Sequence, residues 1–491
     1  MPIVHIAWLL LATMWLNQAV AADRFDDIRE YIRGELVATS TPSVAVAVAQ
    51  DGKIIWEQGF GWADRERRIV ATEHTVYSIA SISKPLTATG LMVLSQSGRL
   101  DLDRPANDYL GNSKLRARVG NASDATVRLV ANHTSGLPRH LNFFFADEPF
   151  HPPSMDETIL RYGNLFTAPG ERSKYSNLGY GLLGYIIERV SGVSYEQFMR
   201  QNVFVPLGMT RTSVGLAPEL EPYAAMRYSE DGLPVPFYDF DHRGAAAIFA
   251  SAHDMARFGL FHLKAHLLDQ KDILSDATID EMHRPTASLG KLDYGDTGYG
   301  IGFMTFVNGG HKVVSHDGGM EGVSTQMLLI PDRKLAIVVL SNSASEAAFA
   351  VADRIAEKLL PGWRKAALEE EPVKSPFITP SELSGVWKGS LSTYLKDVPV
   401  ELHFLPNGDV HAKLGDQLTT LVNGAQFKDG LFTGEFVSVI GTPDTERGHY
   451  TILLSLRLRG DALNGAAHAV CFAPRMHFAL AHWIELRREK S

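Results

Sequence analysis

Residues 77–88 of the chain read YSIASISKPLTA, and within them Ser81 lies three positions before Lys84. On a helix this spacing places the hydroxyl and the ammonium on one face, one turn apart. A serine hydroxyl becomes a useful nucleophile when a neighbouring group takes its proton, and the field at a helix N-terminus favours the oxyanion that follows. Pro85 is tolerated only in the first turn, so Ser81 is predicted near the helix start. The simpler interpretation of the motif alone is a capping serine beside a solvated lysine.

Length and composition narrow the class of protein. A chain of 491 residues is too long for one ordinary core, so two domains are expected. The formal net charge of −9 argues against nucleic acid or an anionic membrane surface as a partner. Cys471 is the one cysteine, which excludes an intrachain disulfide, and its apolar neighbours favour a buried structural thiol over a nucleophile.

The N-terminus has the features of an export signal. Residues 6–16 are apolar but too few to span a bilayer comfortably, and residues 19–21 provide small side chains at the spacing of a cleavage site. We therefore predict a signal peptide over residues 1–21 and a periplasmic or secreted protein without a stable membrane span after cleavage. Residues 1–5 contain no lysine or arginine, so an uncleaved N-terminal anchor is the competing interpretation.

The pattern over residues 22–360 predicts an α+β domain. Helices are predicted near its two ends, at about 25–36 and 345–360, and the segment between residues 81 and 341 is mainly helical in pattern. Apolar strands are predicted at 43–49, 53–60, 313–316, 324–330 and 335–340. Strands near both ends with helices between them predict one antiparallel sheet flanked by helices, with an inserted helical region.

A second domain of different character is predicted after a linker. Residues 361–380 contain four prolines and the acidic run 369–371, which is typical of a linker. Residues 381–491 show short alternating segments separated by turn signals and predict a small all-β barrel or sandwich.

Two further motifs carry chemistry. Tyr175 and Asn177 precede an apolar helical segment, and a phenol can act as a general base if neighbouring ammonium charge lowers its pKa. The asparagine amide can hold a lysine or a substrate amide. Residues 315–319 read SHDGG on a predicted strand, where glycines free a backbone N–H for an oxyanion. Taken singly, the first motif also fits a helix start and the second a β-bulge.

The order of these motifs along the chain resembles a known superfamily. S-x-x-K at residues 81–84, HTSGLP at 133–138, Y-x-N at 175–177 and H-x-G at 316–318 are similar to serine β-lactamases and penicillin-binding proteins. The resemblance covers about residues 23–360. It is strongest to the class C-like serine hydrolases, which include family VIII esterases and D-aminopeptidases. It implies the β-lactamase/transpeptidase fold for this domain.

The resemblance also implies roles for the motif residues. Ser81 would be the acylated nucleophile, and Lys84 a positively charged partner that helps to deprotonate it. Tyr175 would be the general base and later the acid that protonates the leaving group. Asn177 would orient Lys84 and the substrate.

The third motif is implied to contact the substrate. The backbone N–H groups of Ser81 and Gly319 would form the oxyanion hole, with Gly318 and His316 as supporting residues. No metal or cofactor is required for this chemistry. Many relatives carry lysine at the place of His316, where its charge meets a substrate carboxylate, whereas a histidine is mostly neutral at pH 7. This difference predicts weaker selection for a C-terminal carboxylate.

The expected activity is therefore that of a carboxylesterase or a D-amino-acid-type peptidase. A β-lactamase or D,D-carboxypeptidase is one alternative, and a non-catalytic sensor of cell-wall peptides is an alternative of another class. The expected partner is a small-molecule or peptide substrate, with cell-wall material as one candidate source, while the oligomeric state stays open. In the second domain, the G-x-W at residues 385–387 resembles the start of a lipocalin-like barrel, although Trp387 also fits a plain structural plug.

Overall fold

The computed structural model describes residues 24–292, 294–365 and 376–489. The predicted signal peptide at residues 1–21 lies outside the described residues, as does the middle of the predicted linker. Nine antiparallel strands of the described segments form one sheet, in the spatial order Ala287–Leu292, Gly295–Tyr299, Met304–Asn308, His311–Met320, Val323–Ile330, Leu335–Ser341, Ser43–Gln50, Lys53–Asp64 and Ile69–Val70. The prediction of one sheet built from both ends of the domain is confirmed.

The strand Ser43–Gln50 joins the two halves of this sheet. It pairs on one side with Lys53–Asp64 through a hairpin at Asp51 and Gly52, whose positive φ angles of 51° and 77° suit such a turn. On its other side it pairs with Leu335–Ser341, almost 300 residues away in sequence by the count of residue numbers. Side chains alternate between the two faces, with valines at 44, 46 and 48 on one face and alanines at 45, 47 and 49 on the other.

Helices cover both faces of the sheet. Asp26–Ala38 and Ala347–Leu359 pack against the valine face, and Ala252–His262 packs against the small alanine face. The remaining helices are Ser83–Gln96, Val127–Ala131, Met155–Tyr162, Asn177–Ser191, Tyr195–Met199, Arg243–Ala246 and Asp276–Met282. No helix in the described part of the chain is long and apolar enough to cross a membrane.

The inserted region is less purely helical than its sequence pattern predicts. Short strands interrupt it at Tyr77–Ser78, Arg116–Ala117, Leu141–Phe145, Asn164–Leu165, Thr212–Val214, Arg227–Tyr228, Pro234–Val235, Tyr238–Phe240 and Ile248–Ala250. Most contain only two or three residues, which is too short for an alternating pattern to be distinguished from a loop.

The C-terminal strands form a nearly closed antiparallel barrel, as predicted. Its strands are Gly385–Ser392, Asp397–Phe404, Val410–Leu414, Thr420–Leu421, Asn423–Lys428, Leu431–Phe436, Thr451–Arg459, Ala462–Ala473 and Met476–Arg488. The last strand returns to pair with the first, and the opening lies between Thr420–Leu421 and Asn423–Lys428. Trp387 is buried and its indole donates a hydrogen bond to the carbonyl oxygen of Leu383 at 2.8 Å, which is a structural role.

The barrel docks on the first domain by extending its own sheet. The strand Leu141–Phe145 of the first domain pairs with the last barrel strand, Met476–Arg488. Buried Arg447 of the barrel donates hydrogen bonds to Asn142 Oδ1 and Glu148 Oε1, both at 2.7 Å. The two domains therefore share a hydrogen-bonded interface as well as a covalent connection.

Candidate active site

The serine and the lysine of the opening motif meet as predicted. Ser81 lies in the 3₁₀ turn Ala80–Ile82, directly before the helix Ser83–Gln96. Lys84 Nζ donates a hydrogen bond to Ser81 Oγ at 3.0 Å and a second to the carbonyl oxygen of Ala245 at 3.1 Å. The lysine side chain is fully buried, so the alternative of a solvated lysine is wrong.

The backbone before the nucleophile is held in an unusual conformation. Ala80 has a φ of 47°, a region in which an alanine is strained. The glycine strand packs against this turn: a Cβ on Gly318 would lie 2.4 Å from the carbonyl oxygen of Ile79 and 3.0 Å from Ala80 Cβ. Only glycine permits this approach, so the SHDGG motif supports the nucleophile turn directly.

The electrostatics of the site differ from the sequence-based prediction. Burial lowers the pKa of Lys84 well below its ordinary value, and the charge of Arg139 acts in the same direction while Asp317 opposes it. Burial raises the pKa of Tyr175 well above its ordinary value, although a hydrogen bond with Ser81 opposes the shift. Desolvation therefore outweighs any lowering of the phenol pKa by neighbouring ammonium charge in the substrate-free site, and the role of Tyr175 as general base stays a prediction. Burial acts against the charged form of both groups, the ammonium of Lys84 and the phenolate of Tyr175.

Tyr175 is held by the helix start that follows it and by the HTSGLP segment. Ser176 caps the helix Asn177–Ser191 by accepting a hydrogen bond from the N–H of Gly179, and its own N–H donates to His133 Nδ1 at 3.2 Å. The Tyr175 ring lies against Lys84, with Nζ 4.7 Å from the ring centroid. The HTSGLP segment thus has a structural role, because its His133 accepts the hydrogen bond that holds the tyrosine motif.

Asn177 has a different partner from the one that the resemblance implies. Its amide Nδ2 donates to the carbonyl oxygen of His140 at 2.9 Å, whereas the hydrogen bonds of Lys84 go to Ser81 and Ala245. Asn177 nevertheless lines the pocket beside Ser81. A role in orienting the substrate therefore stays a prediction.

His316 lies beneath the site rather than at its surface. Its Nδ1 is 2.7 Å from the carbonyl oxygen of Asp317, which requires Nδ1–H to donate, and its Nε2 accepts from the Tyr299 hydroxyl at 3.1 Å. Burial lowers the pKa of His316 to about 3, helped by the nearby charge of Lys84, so the ring is neutral at pH 7. None of the motifs described above indicates that the Tyr299 hydroxyl makes this contact.

Ser81 lines a pocket with a volume of about 760 Å³. Its floor is formed by Ser81, Tyr175 and Gly319, with Lys84 beneath. Its outer wall comes from the barrel hairpin between the last two strands and consists of Phe472, Pro474, Arg475 and His477. The barrel is therefore part of the site.

The remaining sides of the pocket carry charge of both signs. Arg139 lies on the inner side near the floor, and Glu230, Asp231 and Glu346 lie in exposed positions around the opening. Phe143 also lines the pocket and stacks on His477 of the outer wall, with the two ring centroids 5.4 Å apart. The aromatic run at residues 143–145 is thus both a pocket wall and buried packing.

A comparison with known families agrees with this geometry. A sequence profile of the family described as Beta-lactamase matches residues 28–360, more than half of the chain. The chain belongs to the Beta-lactamase family. Members of this family are serine hydrolases and acyltransferases, and the match ends where the helix Ala347–Leu359 ends.

Individual relatives point the same way. The chain is 30% identical over 325 residues to Penicillin-binding protein 4* of Bacillus subtilis, covering 61% of this chain and 68% of that protein. It is 28% identical over 334 residues to Protein flp of Staphylococcus aureus, covering 66% of this chain and 64% of that protein. The structure of an octameric penicillin-binding protein homologue from Pyrococcus abyssi has a TM-score of 0.59 at 23% identity, covering 94% of this chain and 99% of that one. This last likeness shows the shared fold, barrel included.

Proposed function

We propose that this protein is a serine hydrolase that works through a covalent acyl-enzyme on Ser81. The observation that carries the proposal is the buried 3.0 Å contact between Lys84 Nζ and Ser81 Oγ at the floor of an open pocket. A protein that only bound cell-wall peptides would have no use for a desolvated amine in contact with a serine hydroxyl.

The contact between Lys84 and Ser81, with the lowered pKa of Lys84 and the raised pKa of Tyr175, supports the following proton transfers. Neutral Lys84 takes the proton of Ser81 as the serine oxygen attacks the carbonyl carbon, and the oxyanion is bound by the N–H groups of Ser81 and Gly319. Tyr175, whose pKa is raised by burial, donates its proton to the leaving group, and the Lys84 ammonium beside its ring then protonates the phenolate. Water then attacks the ester of Ser81 with the same groups acting in reverse, which releases the acid and restores the serine.

Within this class we propose an esterase or a peptidase that acts near the amino end of D-amino-acid peptides. His316 is neutral and buried, so the place at which many relatives carry a lysine offers no charge to a substrate carboxylate. The exposed carboxylates Glu230, Asp231 and Glu346 around the opening suit a substrate with a free ammonium group.

Arg139 supports the alternative activity. It lines the pocket close enough to Lys84 for its charge to lower the lysine pKa, and it is solvent-exposed. A guanidinium in that position suits the carboxylate of a β-lactam or a C-terminal D-amino acid. A β-lactamase or D,D-carboxypeptidase is therefore the second candidate.

Covalent labelling followed by a substrate panel tests both candidates. A fluorophosphonate probe should modify wild-type protein and leave Ser81→Ala unmodified, and failure to label wild type at Ser81 would refute the hydrolase proposal. The panel contains a p-nitrophenyl ester, D-alanyl-p-nitroanilide and a chromogenic cephalosporin. Preference for the first two supports the esterase or aminopeptidase assignment, whereas cephalosporin turnover that Arg139→Gln abolishes supports the second candidate.

The proposed location is the periplasm or the exterior of the cell. Support comes from the apolar run and small residues of the N-terminal segment. Fractionation of cells that express the full chain, with N-terminal sequencing of the exported form, tests this location and the cleavage after residue 21.

A further inference from the structure

A cluster of two imidazoles and a carboxylate is buried beside the active site. His140 Nε2 lies 2.9 Å from Asp241 Oδ2, and His242 Nδ1 lies 2.7 Å from Asp241 Oδ1. One ligand atom from each of the three residues lies within 4.8 Å of the other two. All three side chains are at most 1% exposed to solvent.

The fold brings these residues together from two separate segments. His140 directly precedes the strand Leu141–Phe145, and Asp241 directly follows the strand Tyr238–Phe240, which pairs with it. The first of these strands also pairs with the last strand of the barrel. The cluster therefore sits where the inserted region, the active-site pocket and the barrel meet.

The three side chains offer a donor set for a cation, with their inner atoms now joined by hydrogen bonds. Asp241 accepts from His140 Nε2 at 2.9 Å and from His242 Nδ1 at 2.7 Å, and Asn142 Nδ2 donates to the same carboxylate at 3.4 Å. A buried carboxylate is thus held mainly by imidazole N–H groups. The outer nitrogens, His140 Nδ1 and His242 Nε2, have no hydrogen-bond partner among the described residues. With an ion bound, each ring would carry its proton on the outer nitrogen and turn the lone pair of the inner nitrogen toward the centre, and the inner N···O distances would have to open.

We propose that His140, Asp241 and His242 bind one divalent transition-metal ion of the zinc type. Two imidazole nitrogens and one carboxylate oxygen are a donor set that such ions prefer, and three protein ligands leave a fourth position for water. The ion replaces the two inner N–H hydrogen bonds, and each imidazole proton moves to the outer nitrogen of its ring, so no proton is lost overall. His242 lines the pocket, which gives the ion a route from solvent.

The ion has a positioning role and takes no part in acyl transfer. The carbonyl oxygen of His140 accepts from Asn177, and the carbonyl oxygen of Ala245, three residues after His242, accepts from Lys84. Fixing both histidines to one centre fixes the two backbone carbonyls that hold these active-site side chains. Ser81 itself lies outside the cluster, so the serine should still be labelled in metal-free protein.

The test is metal analysis of the full-length, tag-free protein after equilibration with Zn²⁺ and removal of free ions. About one ion per chain is expected, with a rise in Tm of a few degrees and visible absorption bands when Co²⁺ is used instead. Asp241→Asn should lower the metal content at least tenfold. His283→Asn is the matched control, since His283 belongs to another buried histidine pair, with His262, that lacks a carboxylate; it should keep the ion.

Two outcomes would overturn the proposal. Wild-type protein that holds less than a tenth of an ion per chain and shows no Tm change with Zn²⁺ would show that the cluster is a hydrogen-bond network only. An ion content that is equal in wild type and in folded Asp241→Asn would place the metal elsewhere. If Asp241→Asn does not fold, the Co²⁺ spectrum of wild type decides, because imidazole and carboxylate ligation in a site of low coordination number gives bands that the hydrated ion lacks. Fluorophosphonate labelling of Ser81 reports separately on the hydrolase proposal.

Discussion

The floor and the outer wall of the pocket are built in opposite ways. The floor consists of Ser81, Tyr175 and Gly319, which lie in short motifs and are partly open to the pocket, with Lys84 fully buried beneath Ser81. The outer wall is the tip of a hairpin in another domain, and Phe472 there is 60% exposed. On the proposed function, the chemistry lies where desolvation is strong, and the outer wall is a part of the pocket whose side chains can vary without changing the desolvation of Lys84.

The largest effect is expected at the floor, from the loss of the amine base. Lys84→Arg keeps a positive charge but removes a group that can be neutral at pH 7, so kcat/KM should fall by about 10³- to 10⁴-fold. Tyr175→Phe removes only the proton donor and should cost about 10²-fold. Steady-state kinetics with an activated ester measures both. A greater loss in Tyr175→Phe than in Lys84→Arg would instead support the phenol as the general base.

The same assignment predicts the pH dependence. Because Lys84 must be neutral in this mechanism, kcat/KM should fall as pH drops through the lysine pKa, which burial has lowered well below its ordinary value. Because Tyr175 must be protonated and its pKa is raised, no loss is expected on the alkaline side until beyond the ordinary tyrosine range of about 10. A pH profile of kcat/KM for an ester whose leaving group needs no proton checks the acidic limb alone. An acidic limb that persists unchanged in Tyr175→Phe would confirm its assignment to Lys84.

The two adjacent glycines of the floor offer a matched pair. Gly318→Ala places a methyl group 2.4 Å from the carbonyl oxygen of Ile79, so the nucleophile turn must shift and kcat/KM should fall by about 10²-fold, as for other small displacements of reacting groups. Gly319→Ala meets no atom within 4 Å and keeps its N–H, so only a severalfold loss is expected. Kinetics and a Tm for each variant measure the difference. Equal losses would mean that the close approach at Gly318 does not hold the turn.

The sequence predicts the floor well because its chemistry is local. Ser81 and Lys84 are one turn apart, Tyr175 and Asn177 are two positions apart, and the glycines interrupt a strand that is otherwise apolar. Most of the sheet is equally predictable, since its central strands have five to twelve residues of apolar or alternating pattern. The exceptions are its edges, namely the weakly patterned strands Ala287–Leu292 and Gly295–Tyr299 on one side and the two-residue strand Ile69–Val70 on the other.

The outer wall could not be predicted because it depends on a long-range pairing. No pattern in residues 472–477 indicates that they lie in the same pocket as Ser81, which is almost 400 positions earlier in the sequence. The pairing of Leu141–Phe145 with Met476–Arg488 brings them there. The pKa directions at the floor were missed for a related reason. Desolvation of Lys84 and Tyr175 is a property of the whole fold, whereas the sequence shows only which residue types stand at these two distant positions.

A smaller effect, on stability, is expected at the contacts that hold the barrel and its outer wall against the first domain. Arg447→Ala removes the hydrogen bonds to Asn142 and Glu148 and leaves the largely buried Glu148 carboxylate with only the N–H of Phe145 and no ion-pair partner, so a loss of about 3 kcal/mol in the free energy of unfolding is expected. Arg487→Ala is the control, because Arg487 pairs with Asp461 in solvent and should change stability little. Denaturant unfolding measures both. If Arg447→Ala were as stable as Arg487→Ala, docking of the barrel would depend on strand pairing and apolar packing instead.

The smallest effect is expected at the tip of the outer wall itself. Phe472→Ala removes an exposed aromatic ring that lines the pocket, so bulky acyl groups should gain room while the floor keeps its chemistry. The ratio of kcat/KM for a long-chain ester to that for an acetate should rise by about threefold to tenfold, the low end of what apolar pocket contacts contribute. Val437→Ala, an exposed apolar barrel residue outside the pocket, should leave the ratio unchanged. A change in turnover of the acetate alone would contradict the separation between the two regions, because it would show that the hairpin reaches the reacting groups.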